Sequence, residues 1–303
     1  MKIAIVFIAV FLAFGCRETI EVLVSEDEGP SPYPPCAVKK KPARVKEVSR
    51  KKSGSDWLSR PQTDIIFSSS FERNGLDNFD LDWLNLKSSV KITDCISRSG
   101  KSSLEVTLRR SDPMKSKGIR SELAVPGNFE FRKEYWYKIS IFIPKSWVDD
   151  FQGDVLTQWF AIHDKDLGEK GRSPALAIRI RENRWHVTYR WDDKPVTLKN
   201  GGNQGDIWSG KVKKGAWTTF TVNVKWDWTS NGYTALYVNK RLKAERKGPN
   251  CYNDKTGPIW KFGVYKAPWN DPEEESDAFV RLAYFDDIIV CSGDCSAILG
   301  VKK

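Results

Sequence analysis

The sequence predicts an all-β domain, a jelly-roll sandwich of two antiparallel sheets with a concave groove. Short segments of alternating apolar and polar residues follow one another from about residue 62 onward. Turn-forming residues separate these segments, and a helical 3.6-residue period is nearly absent. No internal repeat divides this stretch, which favours one sandwich over a repetitive fold.

Three segments show the alternation most clearly and predict half-buried antiparallel strands. Their apolar positions are Leu104, Val106 and Leu108; Tyr135, Tyr137, Ile139, Ile141 and Ile143; and Phe220, Val222, Val224 and Trp226. We expect these side chains to face the core, with their polar neighbours facing outward.

Dipeptides typical of tight turns predict three hairpins. They are Glu182-Asn183 between 176–181 and 185–191, Asn231-Gly232 between 217–228 and 233–238, and Asn239-Lys240 after 238. The last strand is expected at 279–290, paired with an N-terminal strand at about 65–71.

The N-terminus predicts export from the cytosol. Residues 1–15 form an apolar run of signal-peptide length that is too short for a comfortable membrane span. Cys16 follows Ala13-Phe14-Gly15, which resembles the lipobox of bacterial lipoproteins. The sequence therefore predicts lipidation at Cys16 and a lipid-anchored protein of the bacterial cell envelope, with simple secretion as the alternative.

Four segments describe the predicted organisation of the chain. Residues 1–15 are a signal peptide, 16–60 a flexible linker, 61–296 the β-domain and 297–303 a C-terminal tail. The linker is assigned because it passes from acidic through proline-rich to basic composition without a sustained apolar period. We expect a monomer that reaches the membrane through its lipid anchor.

The composition points to an anionic partner. The formal net charge is +10 at pH 7, and export together with the lack of any nucleic-acid-binding motif argues against nucleic acid. Two histidines and no C-x-x-C pair argue against a structural zinc site. No cofactor is predicted, although the acidic run Asp164, Asp166 and Glu169 could hold a structural calcium ion if it is not simply a solvated loop. Cys291 and Cys295 are close enough in sequence to form a disulfide.

One strand carries the most informative polar residues. Lys261, Gly263 and Tyr265 alternate in Trp260-Lys261-Phe262-Gly263-Val264-Tyr265 and would share a face. An ammonium and a phenol would then project together, and Gly263 would leave space between them for a ligand.

Three motifs resemble those of jelly-roll polysaccharide lyases. Arg120-Ser121-Glu122-Leu123, Gln158-Trp159 with a nearby histidine, and the 261–265 segment resemble R-(S/A/T)-E-L, Q-x-H and K-x-G-x-Y. That group includes the heparin lyase I-like and glucuronan lyase families and the related alginate lyases. Residues 71–77 and 284–287 resemble the usual ends of the domain, so the resemblance covers about 65–292.

The resemblance implies cleavage of an anionic, uronic-acid-containing polysaccharide by β-elimination. It makes Tyr265 the catalytic acid and also a candidate base, and it assigns His163 to the second proton transfer. Arg120 and Gln158 would neutralise the substrate carboxylate, and Lys261 would contact the carboxylate or a sulfate. The histidine departs from the motif, because Phe160 occupies its usual place and His163 comes three residues later.

Each assignment has a plainer alternative. Arg120 could pair with Glu122, Gln158 could satisfy a strand edge, and Lys261 with Tyr265 could form a solvated face. Indole rings can stack on sugars, and Trp159, Trp191 and Trp269 lie near the polar residues in sequence, yet each could instead pack in the core.

The alternative function is a non-catalytic glycan-binding surface lipoprotein of the same fold. A glycoside hydrolase is disfavoured, since no pair of carboxylates in a strand signature is evident. Heparin or heparan sulfate, glucuronan and alginate all remain open as the polysaccharide.

Overall fold

The structure is a computed structural model that describes residues 63–72, 75–198 and 201–301. Within these ranges the chain forms fourteen strands. They are β1 (Asp64–Ser69), β2 (Val90–Thr93), β3 (Ser103–Arg109), β4 (Arg120–Ala124), β5 (Glu134–Ile143), β6 (Asp154–Phe160), β7 (Leu176–Arg181), β8 (Arg184–Trp191), β9 (Asn203–Lys211), β10 (Ala216–Lys225), β11 (Tyr233–Val238), β12 (Arg241–Lys247), β13 (Ile259–Tyr265) and β14 (Val280–Ser292). Short 3-10 helices occupy Lys87–Ser89, Lys165–Leu167 and Ala267–Asn270, and α1 (Ser296–Leu299) is the α-helix of the described residues.

The strands form two antiparallel sheets, which confirms the predicted jelly-roll sandwich. One sheet has eight strands in the order β12-β11-β10-β5-β14-β3-β2, with β1 also paired to β14. The other has six strands in the order β4-β13-β6-β7-β8-β9. The predicted pairing of the first and last strands is confirmed, because Asp64 lies opposite Ser292 and Ser69 opposite Ile288.

Aromatic rings fill the space between the sheets. Trp159 and Trp260 stack at 5.7 Å between centroids, and Tyr137 meets both edge-on. The Tyr137 hydroxyl accepts a hydrogen bond from Trp226 Nε1 at 3.2 Å. The apolar positions predicted from alternation on β3, β5 and β10 are all buried. Burial of these apolar side chains is the main stabilising contribution to the fold.

Two of the three predicted hairpin turns are confirmed. Glu182-Asn183 and Asn239-Lys240 connect adjacent strands, and all four residues have positive φ, as a type I′ turn requires. The third predicted hairpin also forms, since β10 pairs with β11. Its loop is longer than the predicted Asn231-Gly232 turn, because β10 ends at Lys225. The Asp227 carboxylate holds this loop by accepting hydrogen bonds from the Thr229 backbone N–H and hydroxyl.

The C-terminal segment packs on the domain beyond the predicted boundary at residue 296. Cys291 and Cys295 form the disulfide expected from their spacing. Leu299 in α1 is buried with Trp136 and Tyr237 in a small second core. Leu299 therefore belongs to the folded domain and not to a C-terminal tail, since it packs against the apolar residues of this second core.

Predictions for the N-terminal region fall outside the described residues. The signal peptide, the lipidation site Cys16 and the linker 16–60 all precede residue 63. Among the described residues, no helix has the length and apolar character to cross a membrane.

Gly263 does not open a space for a ligand, as the sequence had indicated. A Cβ atom at this position would lie 2.2 Å from the Ser121 carbonyl oxygen and 2.8 Å from Glu122 Cα. Gly263 has φ of 138°, in a region that other residues rarely adopt. The space beside this glycine is therefore filled by β4, which approaches β13 closely.

Replacing Gly263 should destabilise the domain. We expect Gly263→Ala to lower the free energy of unfolding by about 1–3 kcal/mol, because the added methyl collides with the β4 backbone. Urea unfolding measures this change. Gly153→Ala is the matched control, since a Cβ there meets no atom within 4 Å; equal stability of the two variants would contradict the close approach.

Candidate active site

Two adjoining cavities lie on the outer face of the six-stranded sheet. The first, here the tyrosine cavity, has a volume of about 580 Å³ and is lined by Arg120, Gln158, Phe160 and Tyr265 among others. The second, here the arginine cavity, has a volume of about 530 Å³, and its lining includes Arg181, His186, Thr188 and Asp206. Arg179, Arg190 and Gln204 line both cavities. Together the cavities form a groove that crosses the sheet.

Strand register brings the distant sequence motifs together. Tyr265 on β13 lies directly opposite Arg120 on β4, and Lys261 on β13 lies opposite Gln158 on β6. Directly opposite residues of antiparallel strands project to the same face. The three motifs thus converge on one face because β13 lies between β4 and β6.

Arg120 lies flat on the ring of Tyr265. Its guanidinium carbon is 3.9 Å from the ring centroid, a close cation–π contact. Gly118 permits this stack, since a Cβ there would lie 2.6 Å from Arg120 Nη2 and 2.9 Å from Tyr265 Cε2. Within the described residues, the Nε atom of Arg120 is buried without a hydrogen-bond partner. Only Nη1 of the guanidinium is bonded to a carboxylate of the described residues, that of Glu122.

A buried carboxylate, that of Glu122, joins the polar residues of this face. It accepts hydrogen bonds from Arg120 Nη1 at 3.3 Å, from Lys261 Nζ at 3.1 Å and from the Gln158 side-chain amide. Glu122 is 1% exposed. The pairing of Arg120 with Glu122, expected only as an alternative, therefore coexists with the position of Arg120 in the cavity wall.

Lys261 lies beneath the cavity wall instead of lining it. Its side chain has no exposed surface, and its ammonium lies 3.7 Å from the ring centroid of Trp83 and 4.6 Å from that of Phe160. Burial lowers the pKa of Lys261, although the neighbouring Glu122 opposes the shift. The expectation of a direct contact between Lys261 and the substrate is therefore corrected, because Trp83 and Phe160 cover the ammonium.

Asn270 is a site residue that the sequence analysis missed. Its Nδ2 donates a hydrogen bond to the Tyr265 hydroxyl at 3.3 Å, and its Oδ1 accepts one from the Ile119 backbone N–H at 2.7 Å. Asn270 ends the 3-10 helix Ala267–Asn270, which directly follows β13. Its only sequence signal was its place in a Pro-Trp-Asn turn five residues after the tyrosine.

A second buried ion cluster fixes the chain next to Tyr265. Lys266 Nζ lies 3.1 Å from Asp150 and 3.3 Å from Asp154, and Arg281 binds the same two carboxylates. All four side chains are almost completely buried. Two cations and two carboxylates balance, so the cluster anchors the end of β13 without leaving an unpaired charge.

His163 lies outside the cavity that Tyr265 lines. Strand β6 ends at Phe160, and His163 falls in the following loop and lines neither cavity. Burial lowers the pKa of His163, with nearby Lys165 and Arg172 adding to the effect. Phe160, at the position where the motif has histidine, lines the tyrosine cavity. The structure therefore does not bring His163 to Tyr265, because the strand ends before the chain could return to this face.

Two of the three tryptophans predicted to stack on sugars face the core. Trp159 has no exposed surface, and Trp269 is 2% exposed with its Nε1 bonded to Ser276. Trp191, the last residue of β8, is half-buried. None of the three lines either cavity. The predictions for Trp159 and Trp269 are therefore wrong, because both rings pack in the core, whereas sugar stacking by Trp191 stays a prediction.

The carboxylates around the acidic loop bind an arginine. Oxygen atoms of Asp164, Glu169 and Asp254 lie within 4.8 Å of one another, whereas Asp166 pairs with Lys255 at the surface. Arg172 binds both Glu169 and Asp254. Backbone N–H groups of residues 164 and 197 donate to the Glu169 carboxylate. Arg172 thus supplies positive charge to this cluster, and a structural calcium ion stays a prediction.

Comparison with known proteins identifies the family of the chain. The polysaccharide lyase family model matches residues 68–289, so the chain belongs to the polysaccharide lyase family and is a lyase. Comparison with curated proteins finds no significant match.

Two solved structures share the fold. The endo-β-1,4-glucuronan lyase from the fungus Trichoderma reesei aligns at a TM-score of 0.65 and 18% identity, over 77% of this chain and 98% of that one. The GH131 β-glucanase catalytic domain from Podospora anserina aligns at a TM-score of 0.51 and 10% identity, over 76% and 97%. At these identities the similarity shows the fold alone.

Removing the carboxylate at position 122 should destabilise the site. We expect Glu122→Gln to lower the free energy of unfolding by about 3–5 kcal/mol, because Lys261 and Arg120 lose their shared buried counter-charge. Urea unfolding checks this value. The control is Glu105→Gln, which breaks the pair with the largely exposed Lys91 and should cost about 0–1 kcal/mol. Similar losses in both variants would contradict a central role for Glu122.

Proposed function

We propose that the protein cleaves an anionic, uronic-acid-containing polysaccharide by β-elimination, with Tyr265 as catalytic acid and base. One observation carries the proposal: Arg120, Gln158 and Tyr265 meet in a single open cavity. β-Elimination needs a cation or amide to bind the C6 carboxylate and a proton-transfer group beside C5 and O4. The tyrosine cavity offers both kinds of group on one wall.

Arg120 and Gln158 would bind the carboxylate of the reacting sugar. Arg120 lines the cavity and uses Nη1 of its five-donor guanidinium for Glu122, and the Gln158 amide has a second hydrogen beyond the one donated to Glu122. Removal of the C5 proton places negative charge on the carboxylate, and donors aimed at that charge stabilise the transition state. Loss of one such donor typically costs about 10²–10³ in rate.

Tyr265 would perform both proton transfers. Its phenolate takes the C5 proton, the C4–C5 double bond forms, the bond from C4 to the glycosidic oxygen breaks, and the new phenol returns the proton to that oxygen. The N–H of Asn270 and the guanidinium of Arg120 stabilise negative charge on the phenolate. This route needs no histidine, which agrees with Phe160 in place of the motif histidine.

Glu122 and Lys261 would act as positioning residues. The Glu122 carboxylate orients Arg120 and Gln158 together, and Lys261 offsets its charge from below. With one carboxylate against two cations, the buried cluster keeps a net positive charge. That charge favours a carboxylate in the cavity.

Phe160 also favours one competing function, a glycan-binding module without turnover. A phenyl ring in the cavity wall can contact a sugar face but cannot transfer a proton. Only catalysis forms the unsaturated uronate, so this product distinguishes a lyase from a binding module.

Turnover is measured by ultraviolet absorbance on a panel of uronic polymers, because β-elimination creates a conjugated 4,5-unsaturated uronate. We expect absorbance to rise with at least one polymer and Tyr265→Phe to reduce the rate by at least about 10²–10⁴-fold, the usual contribution of acid–base catalysis. Tyr233→Phe, on β11 of the other sheet, is the control and should keep full activity.

Two results would redirect the assignment. Full activity of Tyr265→Phe would remove this residue from the mechanism. Binding of a polymer without any rise in absorbance would favour the module.

Asn270 should act through Tyr265. We expect Asn270→Ala to lower kcat by about ten- to hundredfold, since a hydrogen bond to a charged group is worth about 1.5–3 kcal/mol. KM should change little, because Asn270 contacts the catalytic phenol and does not line the cavity. Asn270→Asp keeps the acceptor for Ile119 but places a carboxylate beside the phenol, so its loss of kcat should be larger. An unchanged kcat in both variants would leave Asn270 with a structural role only.

A further inference from the structure

The arginine cavity lies beside the tyrosine cavity and is built from regular strands. On the β7–β8 pair, Arg179 lies opposite His186, and on the β8–β9 pair Arg190 lies opposite Gln204. Thr188 lies between His186 and Arg190 on the same face of β8. The strand alternation therefore places two guanidinium groups, an imidazole and a hydroxyl along one wall.

Polar atoms of this wall are buried without partners. Arg179 Nε, Arg190 Nη1, His186 Nε2 and Thr188 Oγ1 have almost no exposed surface and no hydrogen bond within the described residues. Buried polar atoms in folded proteins are nearly always hydrogen-bonded. Four such atoms on residues that line one cavity point to a site that a ligand completes.

The unpartnered charge in this cavity is positive. In the groove, Arg120 pairs with Glu122, and Arg172 pairs with Glu169 and Asp254. Arg179 and Arg190, in contrast, form no ion pair with any carboxylate of the described residues.

Neighbouring groups offset this charge only in part. Asp206, the carboxylate among the described residues that line the arginine cavity, is turned toward solvent and lies 3.5 Å from His186. Burial lowers the pKa of Arg179 to about 10, and the nearby Arg190 adds to the shift, while Tyr265 and Asp206 oppose it. Arg179 is thus still a cation at neutral pH, held close to a second cation.

We propose that Arg179 and Arg190, with His186 and Thr188, form a second anion subsite that binds the carboxylate or sulfate of a sugar adjacent to the one cleaved. The inference rests on the proposed function, because it places the reacting sugar in the tyrosine cavity. Arg179 and Arg190 line both cavities, so the second anion lies one step along the same polymer. Planar guanidinium groups suit both carboxylate and sulfate oxygens.

The subsite predicts a preference for polymers that carry charge on neighbouring sugars. A chain with a carboxylate on every sugar, such as glucuronan, would fill both cavities with anions. A chain that alternates uronate with a neutral amino sugar, such as unsulfated heparosan, would leave the arginine cavity without an anion. Heparin would fill it with sulfate instead.

The test compares Arg190→Ala with wild type on glucuronan, heparosan and heparin. We expect KM for the charged-neighbour polymer that the wild type cleaves to rise by about tenfold or more in the variant, while kcat changes little, because a charge-assisted contact remote from the reacting bond is lost. The KM for heparosan should change less than twofold. Arg190→Lys should restore the wild-type KM only in part, since lysine keeps the positive charge but lacks the two parallel N–H donors of the guanidinium.

Arg184→Ala is the matched control. Arg184 is an exposed arginine on the same strand, bonded to Ser209 and outside both cavities. It removes the same charge from the protein, so an equal rise in KM in both variants would show general attraction and overturn the subsite. Thermal unfolding checks that Arg190→Ala folds, and Arg179→Gln is the second variant should it not.

The two proposals fail separately. Loss of activity in Tyr265→Phe together with an unchanged KM in Arg190→Ala overturns the subsite alone. If the wild type cleaves none of the polymers, affinity electrophoresis in glucuronan or heparin gels replaces kinetics. Weaker retardation of Arg190→Ala than of Arg184→Ala then supports the subsite without turnover, and equal retardation or none in the wild type overturns it. Comparing the retardation in glucuronan gels with that in heparin gels distinguishes carboxylate binding from sulfate binding.

Discussion

The geometry of the groove depends on one buried carboxylate. Glu122 is shared by Arg120, Lys261 and Gln158, which come from three neighbouring strands. A buried charge is costly unless it is paired, so none of these side chains can move without leaving another unsatisfied. The arginine and glutamine are thereby held in fixed positions before any substrate binds. Pre-organisation of this kind reduces the reorganisation that binding would otherwise require.

Tyr265 lies between this carboxylate and a second ion cluster. Arg120 holds the ring from one side, and Asn270 binds the hydroxyl. The next residue, Lys266, is fixed by Asp150 and Asp154. Tyr265 is therefore constrained at its ring, at its hydroxyl oxygen and at its backbone. Sites on strands are more precise than sites on loops, and here the loop residue Asn270 is itself tied back to the Ile119 backbone.

Alternation along the strands was enough to predict the fold and to place Lys261 and Tyr265 on one face, whereas Arg120 and Gln158 were associated with them only through the family resemblance. Alternation does not show what covers a face. Trp83 lies in a segment that forms isolated bridges with β4, and its ring covers Lys261. The alternation within β13 could not predict this contact. Trp159 and Trp269 were predicted to bind sugar, but both are buried in the core. Arg179 and Arg190 carried the same alternating signal as Tyr265, and recognising them required the cavity that joins their strands.

A single proton-transfer group restricts the geometry of the substrate. When one phenol both removes the C5 proton and protonates the glycosidic oxygen, hydrogen and oxygen must leave from the same side of the sugar ring. Uronates of the gluco and manno configurations present them on the same side, whereas inversion at C5 places them on opposite sides. In the proposed mechanism, a histidine at position 160 would supply a second proton-transfer group and relax this restriction, whereas Phe160 lines the tyrosine cavity. Under that proposal, the phenylalanine bears on which uronates can be cleaved as well as on which group is the base.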